Sequence, residues 1–264
     1  MGLPAKLALF AAVGAACLPA SAAKEAAGIA WESHVSTALS AAKRAGKPVF
    51  VDFWAIWCAP CREMESRVYS DPAVIEAARG FVTLKLDADV HENLVSRYEV
   101  EALPTLLFLD GEGQELGRIE GRIGAGPLRE RLEQVQRGYA AYLRDLGHAE
   151  DAEAAQHVAS YLIEIGSPRR AVEHLRRALR AARGAPEETR ERLELLQAEA
   201  LLAANQAREA GKGFERLAAK AVSREVQGRA LVGCVRSARE QKAAAKESAA
   251  RERLAREFPE IPAP

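Results

Sequence analysis

The sequence predicts two joined parts, an α/β sandwich with a mixed sheet followed by a part built only of helices. Two observations support this prediction. In the first part, helical patterns alternate with short runs of β-branched and aromatic residues. Aromatic residues, valine and proline concentrate before about residue 140, whereas alanine, arginine, glutamate and leucine dominate after it. Such a change of composition within 264 residues indicates two domains of different class.

The first 23 residues have the layout of a secretory signal peptide. Lys6 precedes an apolar run from Leu7 to Leu18, and Ala20-Ser21-Ala22 supplies small residues for cleavage. The apolar run is shorter than a helix that spans a bilayer requires. We therefore expect residues 1–23 to be a signal peptide and the protein to be exported.

A second kind of processing is possible at the same end of the chain. Gly14-Ala15-Ala16-Cys17 loosely resembles a bacterial lipoprotein cleavage box, although Gly14 stands where that box usually has leucine. Lipidation of Cys17 would then hold the protein to the membrane. This anchored form is the alternative to a free periplasmic protein, and it is the only membrane contact that the sequence suggests.

The α/β part is predicted to follow the order helix, strand, helix, strand, helix, strand, strand, helix. The predicted segments are a helix within 26–45, strand 49–54, a helix from about residue 58 that breaks and restarts at Asp71-Pro72, strand 81–87, helix 94–98, strands 103–109 and 115–120, and a helix over about 127–143.

Local signals support these segments. Val49 to Trp54 is almost continuously apolar, interrupted only by Asp52, as expected of a central strand covered on both faces. Asp110-Gly111-Glu112-Gly113 forms a turn between the last two strands. Pro104 at the head of a strand requires a cis peptide bond before it or a position at the sheet edge.

The second part is predicted to contain three helical pairs. Ala171, Leu175 and Ala178 recur as Ala210, Phe214 and Leu217 in the next pair. This offset is close to the tetratricopeptide period of about 34 residues, and a small residue followed by a large apolar one suits helices that pack closely. The alternative is an irregular alanine-rich bundle. The predicted pairs are 154–165 with 169–183, 187–204 with 207–221, and 224–239 with 243–257.

The charges favour no polyanionic partner. Lys+Arg and Asp+Glu number 37 each, so the net charge is zero, and no aromatic residues interleave with the basic ones. We therefore predict no binding to nucleic acid. The sequence also indicates no cofactor and no metal.

The Cys58-Ala59-Pro60-Cys61 segment carries the predicted chemistry, because it stands where a strand ends and a helix begins. The partial positive charge of a helix N-terminus stabilises a thiolate there, and a second cysteine three positions on can close a small disulfide ring. A zinc half-site is disfavoured, since no second Cys-x-x-Cys and no spaced histidine pair follow. Cys234 stands alone in an apolar helical stretch and is expected to be a small buried hydrophobe.

Three separated segments resemble the thioredoxin family. Residues 51–61, from Val51 to Cys61, look like its active-site signature, and Lys85-Leu86-Asp87 matches its second strand. Leu103-Pro104-Thr105 matches its cis-proline loop. The residues around the motif, 46–49, 63–65 and 69–74, are most similar to the exported C-terminal thioredoxin domain of thiol:disulfide interchange proteins. The resemblance covers about residues 30 to 140 and omits the membrane electron-transfer domain of those proteins.

The resemblance implies a role for each site residue. Cys58 would be the attacking thiolate, and Cys61, the more buried of the two, would resolve the mixed disulfide. Asp52 would take or return the proton of Cys61, and Lys85 would tune Asp52. Pro104, if cis, would face the dithiol and leave the backbone beside it free to pair with a substrate segment. Trp57 would shield the dithiol and form part of the docking surface, while Trp54 is expected in the core.

The implied function is that of an exported thiol–disulfide oxidoreductase of the reductase or isomerase type. Its clients would be disulfide-containing proteins, held by the helical part. Its electrons would come from outside, from a donor such as a membrane thiol:disulfide interchange protein. The alternative is a chaperone or adaptor in which the helical repeats bind proteins and redox activity is secondary. The predicted boundaries are a signal peptide over 1–23, a thioredoxin-like domain over 24–143, a helical-repeat domain over 144–258 and a tail over 259–264.

Overall fold

The computed structural model describes residues 28–148 and 151–264. The predicted signal peptide and Cys17 lie outside these described residues. Within them, every helix is too short or too polar to cross a bilayer.

The described elements follow the predicted order. In the first part they are α1 (Val35–Ala45), β1 (Val49–Trp54), α2 (Ala59–Arg67), α3 (Pro72–Ala78), β2 (Val82–Asp87), α4 (Glu92–Arg97), β3 (Thr105–Leu109), β4 (Glu115–Glu120) and α5 (Ala125–Leu146). In the second part they are α6 (Ala152–Glu164), α7 (Pro168–Ala181), α8 (Glu187–Ala203), α9 (Ala207–Lys220), α10 (Arg224–Glu240) and α11 (Ala244–Glu257).

The sheet has four strands in the order β2-β1-β3-β4. Strand β1 pairs in parallel with β2 and antiparallel with β3. Its alternating side chains enter two different cores, because Phe50 packs with α3 and α5 whereas Val49 and Val51 pack with α1. The mixed sheet, its flanking helices and the helical part that follows confirm the predicted architecture.

The first helix is shorter than predicted. It begins at Val35, and the described residues before it are extended, with Glu32 bridging Leu84 on the edge strand β2. The prediction of helix before residue 35 is therefore wrong for residues 28–34. The physical reason is that Trp31 packs into the core while the main chain of this segment pairs with the open edge of the sheet.

The predicted break between α2 and α3 is confirmed. The Asp71 carboxylate accepts hydrogen bonds from the N–H groups of Ala73 and Val74, at 2.8 and 3.3 Å. Pro72 occupies the first helical position, where its missing N–H costs nothing. The break turns the chain so that α3 packs against α5.

The second part stacks its helices in sequence order. Each helix packs against the next, and α8 also packs against α6 and α10, so the first helices of successive pairs contact one another. The recurring positions Ala171 and Ala210 are fully buried, as are Leu175 and Phe214. Stacked helical hairpins give this pattern of contacts. The tetratricopeptide assignment itself stays a prediction.

The two parts share one continuous hydrophobic core, which runs from the sheet through α5 into the helical part. The Tyr161 hydroxyl of α6 donates to the Val135 carbonyl of α5 at 2.7 Å. Arg170 of α7 donates to the buried Asp110 carboxylate at 3.2 Å and to the Glu115 carbonyl at 2.9 Å. The helical part is therefore attached to the β3–β4 turn as well as to the end of α5.

This attachment predicts that the two parts unfold together. All three tryptophans of the sequence lie between residues 31 and 57, so their fluorescence reports the first part, whereas most helical signal in circular dichroism comes from the second. Arg170→Met removes a hydrogen bond to a buried carboxylate and should lower the free energy of unfolding by about 1.5–3 kcal/mol. Urea unfolding should show the same loss with both probes.

The control for this variant is Arg177→Met, which changes an exposed arginine of the same helix. It should leave the urea midpoint nearly unchanged. Two separate transitions in the wild type, one for each probe, would show that the shared core does not couple the two parts.

Candidate active site

Cys58 and Cys61 form a disulfide at the start of α2. Cys58 is the N-cap residue of this helix, and its Sγ accepts a hydrogen bond from the Cys61 N–H at 3.2 Å. Pro60 lies in the first turn, where a helix tolerates proline. The two cysteines thus lie at the N-terminus of α2, shortly after the end of β1. A thiolate at this position is stabilised by the helix dipole and by unpaired N–H groups.

Burial does not separate the two cysteines. The exposed fractions are 3% for Cys58 and 6% for Cys61, so the expectation that Cys61 is the more buried is not met in this disulfide form. Both cysteines belong to one small cluster with the buried Ala55, and Trp54 and Leu103 pack against that cluster. The difference between them lies in their position, because Cys58 caps the helix while Cys61 lies in its first turn.

The peptide bond between Leu103 and Pro104 is cis. A proline at the head of a strand requires a cis bond or a position at the sheet edge. Pro104 has the cis bond, and the strand that follows it, β3, pairs on both sides with β1 and β4. Leu103 contacts the disulfide cluster, so this loop lies beside the dithiol, as the family resemblance implies.

Asp52 and Lys85 are paired residues of β1 and β2. The Lys85 Nζ lies 3.9 Å from the Asp52 Oδ2, and the Asp52 side chain is almost fully buried. Burial raises the pKa of Asp52 to about 7, against the opposing effects of the Lys85 charge and the Tyr69 hydroxyl. Near neutral pH this carboxyl group is therefore able to hold or release a proton.

The other ionisable groups that act on this ion pair come from α2 and the turn after it. Glu65 forms an ion pair with Lys85, and its charge also helps to raise the pKa of Asp52. Among the described residues, neither the Asp52 Oδ1 nor the Tyr69 hydroxyl makes a hydrogen bond of ordinary geometry, so Tyr69 acts on Asp52 as a nearby polar group. Cys61, Glu65 and Tyr69 are spaced four residues apart, which places the cysteine and the surroundings of Asp52 on the same side of this segment.

Sequence reasoning did not assign Glu65, Tyr69 or Trp31 to the site. The spacing of Glu65 and Tyr69 from Cys61 could have identified the first two, because it repeats once per helical turn. The predicted helix over about 26–45 includes Trp31, and no local signal in the sequence connects Trp31 to Lys85. Its ring centroid nevertheless lies 5.6 Å from the Lys85 Nζ.

Three large apolar side chains are exposed in this region. Ile56 and Trp57 directly precede Cys58, and Val90 follows Asp89, which accepts a hydrogen bond from Trp57. The exposed fractions are 72% for Ile56, 64% for Trp57 and 72% for Val90. The Trp57 Nε1 donates to the Asp89 carboxylate at 2.8 Å, which joins the turn before α2 to the turn after β2. Trp57 therefore has the exposure expected of a docking residue, while Trp54 is half-buried with the disulfide cluster, against the Lys85 ammonium.

Comparisons with known proteins match the first part of the chain. Residues 35–136 fit the model of a family described as a thioredoxin-like domain. The thiol:disulfide interchange protein DsbD of Vibrio vulnificus (strain CMCP6) is 35% identical over 103 residues, 37% of this chain and 17% of that protein. The chloroplastic thioredoxin-like protein HCF164 of Arabidopsis thaliana is 33% identical over 111 residues, 41% of this chain and 42% of that protein.

Solved structures match the same part. The solution structure of a thioredoxin from Thermus thermophilus is 30% identical, with a TM-score of 0.38 and coverage of 40% of this chain and 86% of that one. The chain spans less than half the length of the curated relatives named above.

The raised pKa of Asp52 predicts a stability that falls as pH rises. The folded chain keeps the Asp52 proton up to about pH 7, whereas the unfolded chain releases it near the ordinary value of 3.8. Between these two values the folded state binds more protons, so the free energy of unfolding decreases with pH, by up to about 4 kcal/mol in total.

Asp52→Asn should remove this dependence. The variant should be more stable than the wild type at pH 8, and the difference should shrink toward pH 4, as measured by urea unfolding of the disulfide form. Glu112→Gln is the control, since this carboxylate is exposed and is not among the groups that shift the pKa of Asp52. If the free energy of unfolding changes with pH in the same way for the wild type and for Asp52→Asn, the pKa of Asp52 is not raised in the folded chain.

Proposed function

We propose that this chain, whose residues 35–136 form a thioredoxin-like domain, is a thiol–disulfide oxidoreductase that reduces or isomerises disulfides in client proteins. The observation that carries the proposal is the Cys58–Cys61 disulfide at the start of a helix, beside the buried Asp52–Lys85 pair. Relatives over this part of the chain are named thiol:disulfide interchange protein and thioredoxin-like protein, which supports the same reaction type.

The reaction runs in two exchanges. The Cys58 thiolate attacks one sulfur of a client disulfide, which forms a mixed disulfide and releases the other client sulfur as a thiolate. The Cys61 thiol then loses its proton and attacks the Cys58 Sγ, which closes the Cys58–Cys61 disulfide and frees the second client thiolate. Two electrons pass to the client, and an external dithiol must supply two electrons to restore the enzyme.

Asp52 is proposed to accept the proton of Cys61 in the second exchange. Its carboxyl group is buried and its pKa is about 7. Glu65 and Tyr69, which follow Cys61 at intervals of four residues, both act on that pKa. A base whose pKa lies near the working pH is best suited to both accepting and returning a proton. Lys85 limits the rise of this pKa and so keeps the carboxylate accessible at neutral pH.

The client is proposed to dock on the exposed apolar surface beside the dithiol, which we define as Ile56, Trp57 and Val90. A few side chains carry most of the binding energy in protein interfaces, and tryptophan is among the commonest of them. Trp57 is exposed and is held by its hydrogen bond to Asp89. The backbone beside Pro104 would pair with an extended client segment.

The helical part is proposed to bind protein partners. Its stacked helices support this role, because helical repeats present an extended surface to other proteins. Export to the periplasm and re-reduction by a membrane thiol:disulfide interchange protein are part of the same proposal. They rest on the signal-like sequence of residues 1–23, with a lipid anchor at Cys17 as the alternative, and on the names of the relatives.

Single cysteine variants test the reaction. The wild type should accelerate the reduction of insulin by dithiothreitol at pH 7, and Cys58→Ser should abolish this acceleration because it removes the attacking sulfur. Cys61→Ser should instead accumulate a mixed disulfide with the client, visible as a higher-mass band on a non-reducing gel. Cys234→Ser is the matched control and should keep full activity.

Two other outcomes would change the conclusion. Absence of insulin reduction by the wild type would contradict the oxidoreductase proposal. If Cys58→Ser still suppresses client aggregation and supports the cellular role of the protein, the adaptor or chaperone alternative is favoured.

Substitution in the docking surface should affect protein clients most. Trp57→Ala should lower kcat/KM for insulin about tenfold, the loss typical of a central interface residue, and should lower it less for a small aromatic disulfide. Leu143→Ala is the control, since Leu143 is an exposed apolar side chain of α5 and lies outside both the docking surface and the helical part. Equal losses for both substrates would indicate that Trp57 acts on the dithiol itself and not on docking.

A further inference from the structure

Trp31 lies outside residues 35–136, the part that matches the family model, yet its ring reaches the buried ion pair of the candidate active site. The main chain beside it pairs with β2. The Glu32 N–H donates to the Thr83 carbonyl and the Lys85 N–H donates to the Glu32 carbonyl, both at 2.9 Å. These two hydrogen bonds fix the segment, and with it the position of the indole ring.

The Trp31 ring belongs to an aromatic cluster on the face of the sheet that carries Asp52. Its centroid lies 5.6 Å from that of Phe50 and 5.2 Å from that of Tyr69. Both contacts are tilted or edge-to-face, the arrangements that aromatic pairs prefer. The ring is therefore held in place by neighbours on β1 and after α2.

Three rings surround the Lys85 ammonium. The Nζ lies 5.6 Å from the Trp31 ring centroid, 5.0 Å from that of Trp54 and 5.6 Å from that of Tyr69. Each distance is within the range in which a ring face attracts a cation, and tryptophan does so most strongly. The side chain of Lys85 is only 19% exposed, so this attraction is little weakened by water.

The carboxylates alone do not explain where the ammonium lies. Its direct contact is with Glu65, whose side chain is 53% exposed, whereas Asp52 is 3.9 Å away. A lysine stem is flexible, and Glu65 by itself would allow the ammonium to move toward solvent. The three rings lie within cation–π distance of the ammonium and add an attraction that Glu65 alone does not supply.

We propose that Trp31 is a positioning residue that holds the Lys85 ammonium against Asp52 and so sets the pH range in which Asp52 carries a proton. The catalytic consequence rests on the proposed function, whereas the titration of Asp52 can be measured without turnover. The ionisable groups that act on Asp52 are Lys85 from β2, Glu65 from α2 and Tyr69 from the turn after α2.

The direction of the effect follows from the charge of Lys85. A nearby ammonium favours the charged carboxylate, so loosening it raises the pKa of Asp52. Trp31→Leu keeps an apolar cover and removes the ring. The loss of one cation–π contact should raise the Asp52 titration midpoint by about half a pH unit.

The experiment is a carbon-13 NMR titration of the Asp52 carboxyl group in the full chain, with Cys58 and Cys61 oxidised. Trp31→Leu should raise the midpoint, and it should have no effect in a Lys85→Met background, because Trp31 acts through the lysine. Phe81→Leu is the control. It removes another ring of the same core, one that packs on Phe50 and Phe108 but is not among the rings around Lys85.

Several results would overturn the proposal. They are an unchanged midpoint in Trp31→Leu, an equal rise in the Lys85→Met background, or an equal rise in Phe81→Leu. A measurement on the wild type covers the case in which Trp31→Leu does not fold. The Lys85 ε-methylene protons should resonate upfield of those of the other lysines because of the ring faces around them, and an ordinary position would show that the lysine is not enclosed.

The pH profile of insulin reduction connects this result to catalysis. In Trp31→Leu its acidic limb should move upward by the same half pH unit as the carboxyl titration. A wild type that reduces no insulin would refute the proposed function and leave the titration result standing. An active wild type with an unchanged profile and midpoint in Trp31→Leu would refute the positioning role alone.

Discussion

The constraint on which the active-site half depends is the burial of one carboxyl group, Asp52, in the middle of an apolar strand. Burial disfavours its charged form, and Lys85 offsets that cost only in part, so the pKa of the group is about 7. Strand pairing places the lysine directly opposite, and Glu65 and the aromatic rings complete its surroundings. The site therefore carries a proton donor and acceptor for neutral pH at the cost of some stability.

The disulfide depends on the same strand. Strand β1 carries Asp52 on one face and ends just before Cys58, which caps α2. The cap supplies the positive end of the helix dipole to one sulfur. Helix α2 then carries Glu65 to Lys85, and the turn after α2 carries Tyr69 to the same lysine. A single strand–turn–helix unit thus provides the reactive sulfur atoms and part of the surroundings of the proton-handling group.

Most of the fold and the centre of the site could be predicted from the sequence. The continuous apolar pattern of 49–54, the Asp71-Pro72 break and the Cys58/Cys61 spacing are local signals, and each is reflected in the structure. Trp31 could not be placed, because its position depends on main-chain pairing with β2, more than 50 residues away, a contact that no local period encodes. Leu103, which packs against the cysteine cluster, likewise comes from a segment distant in sequence.

The shared core gives the helical part a defined relation to the dithiol. Arg170 ties α7 to the β3–β4 turn, and β3 begins directly after Pro104, so the attachment reaches the strand that borders the site. On the proposed function, a partner bound by the helices would be held by a body packed against the half that carries the dithiol, and not by a flexible tether. Binding to the helices raises the effective concentration of a client disulfide at the dithiol only if that client can reach both places at once. In this architecture the helical part would therefore select clients by shape, while the chemistry of Cys58 and Cys61 stays the same for all of them.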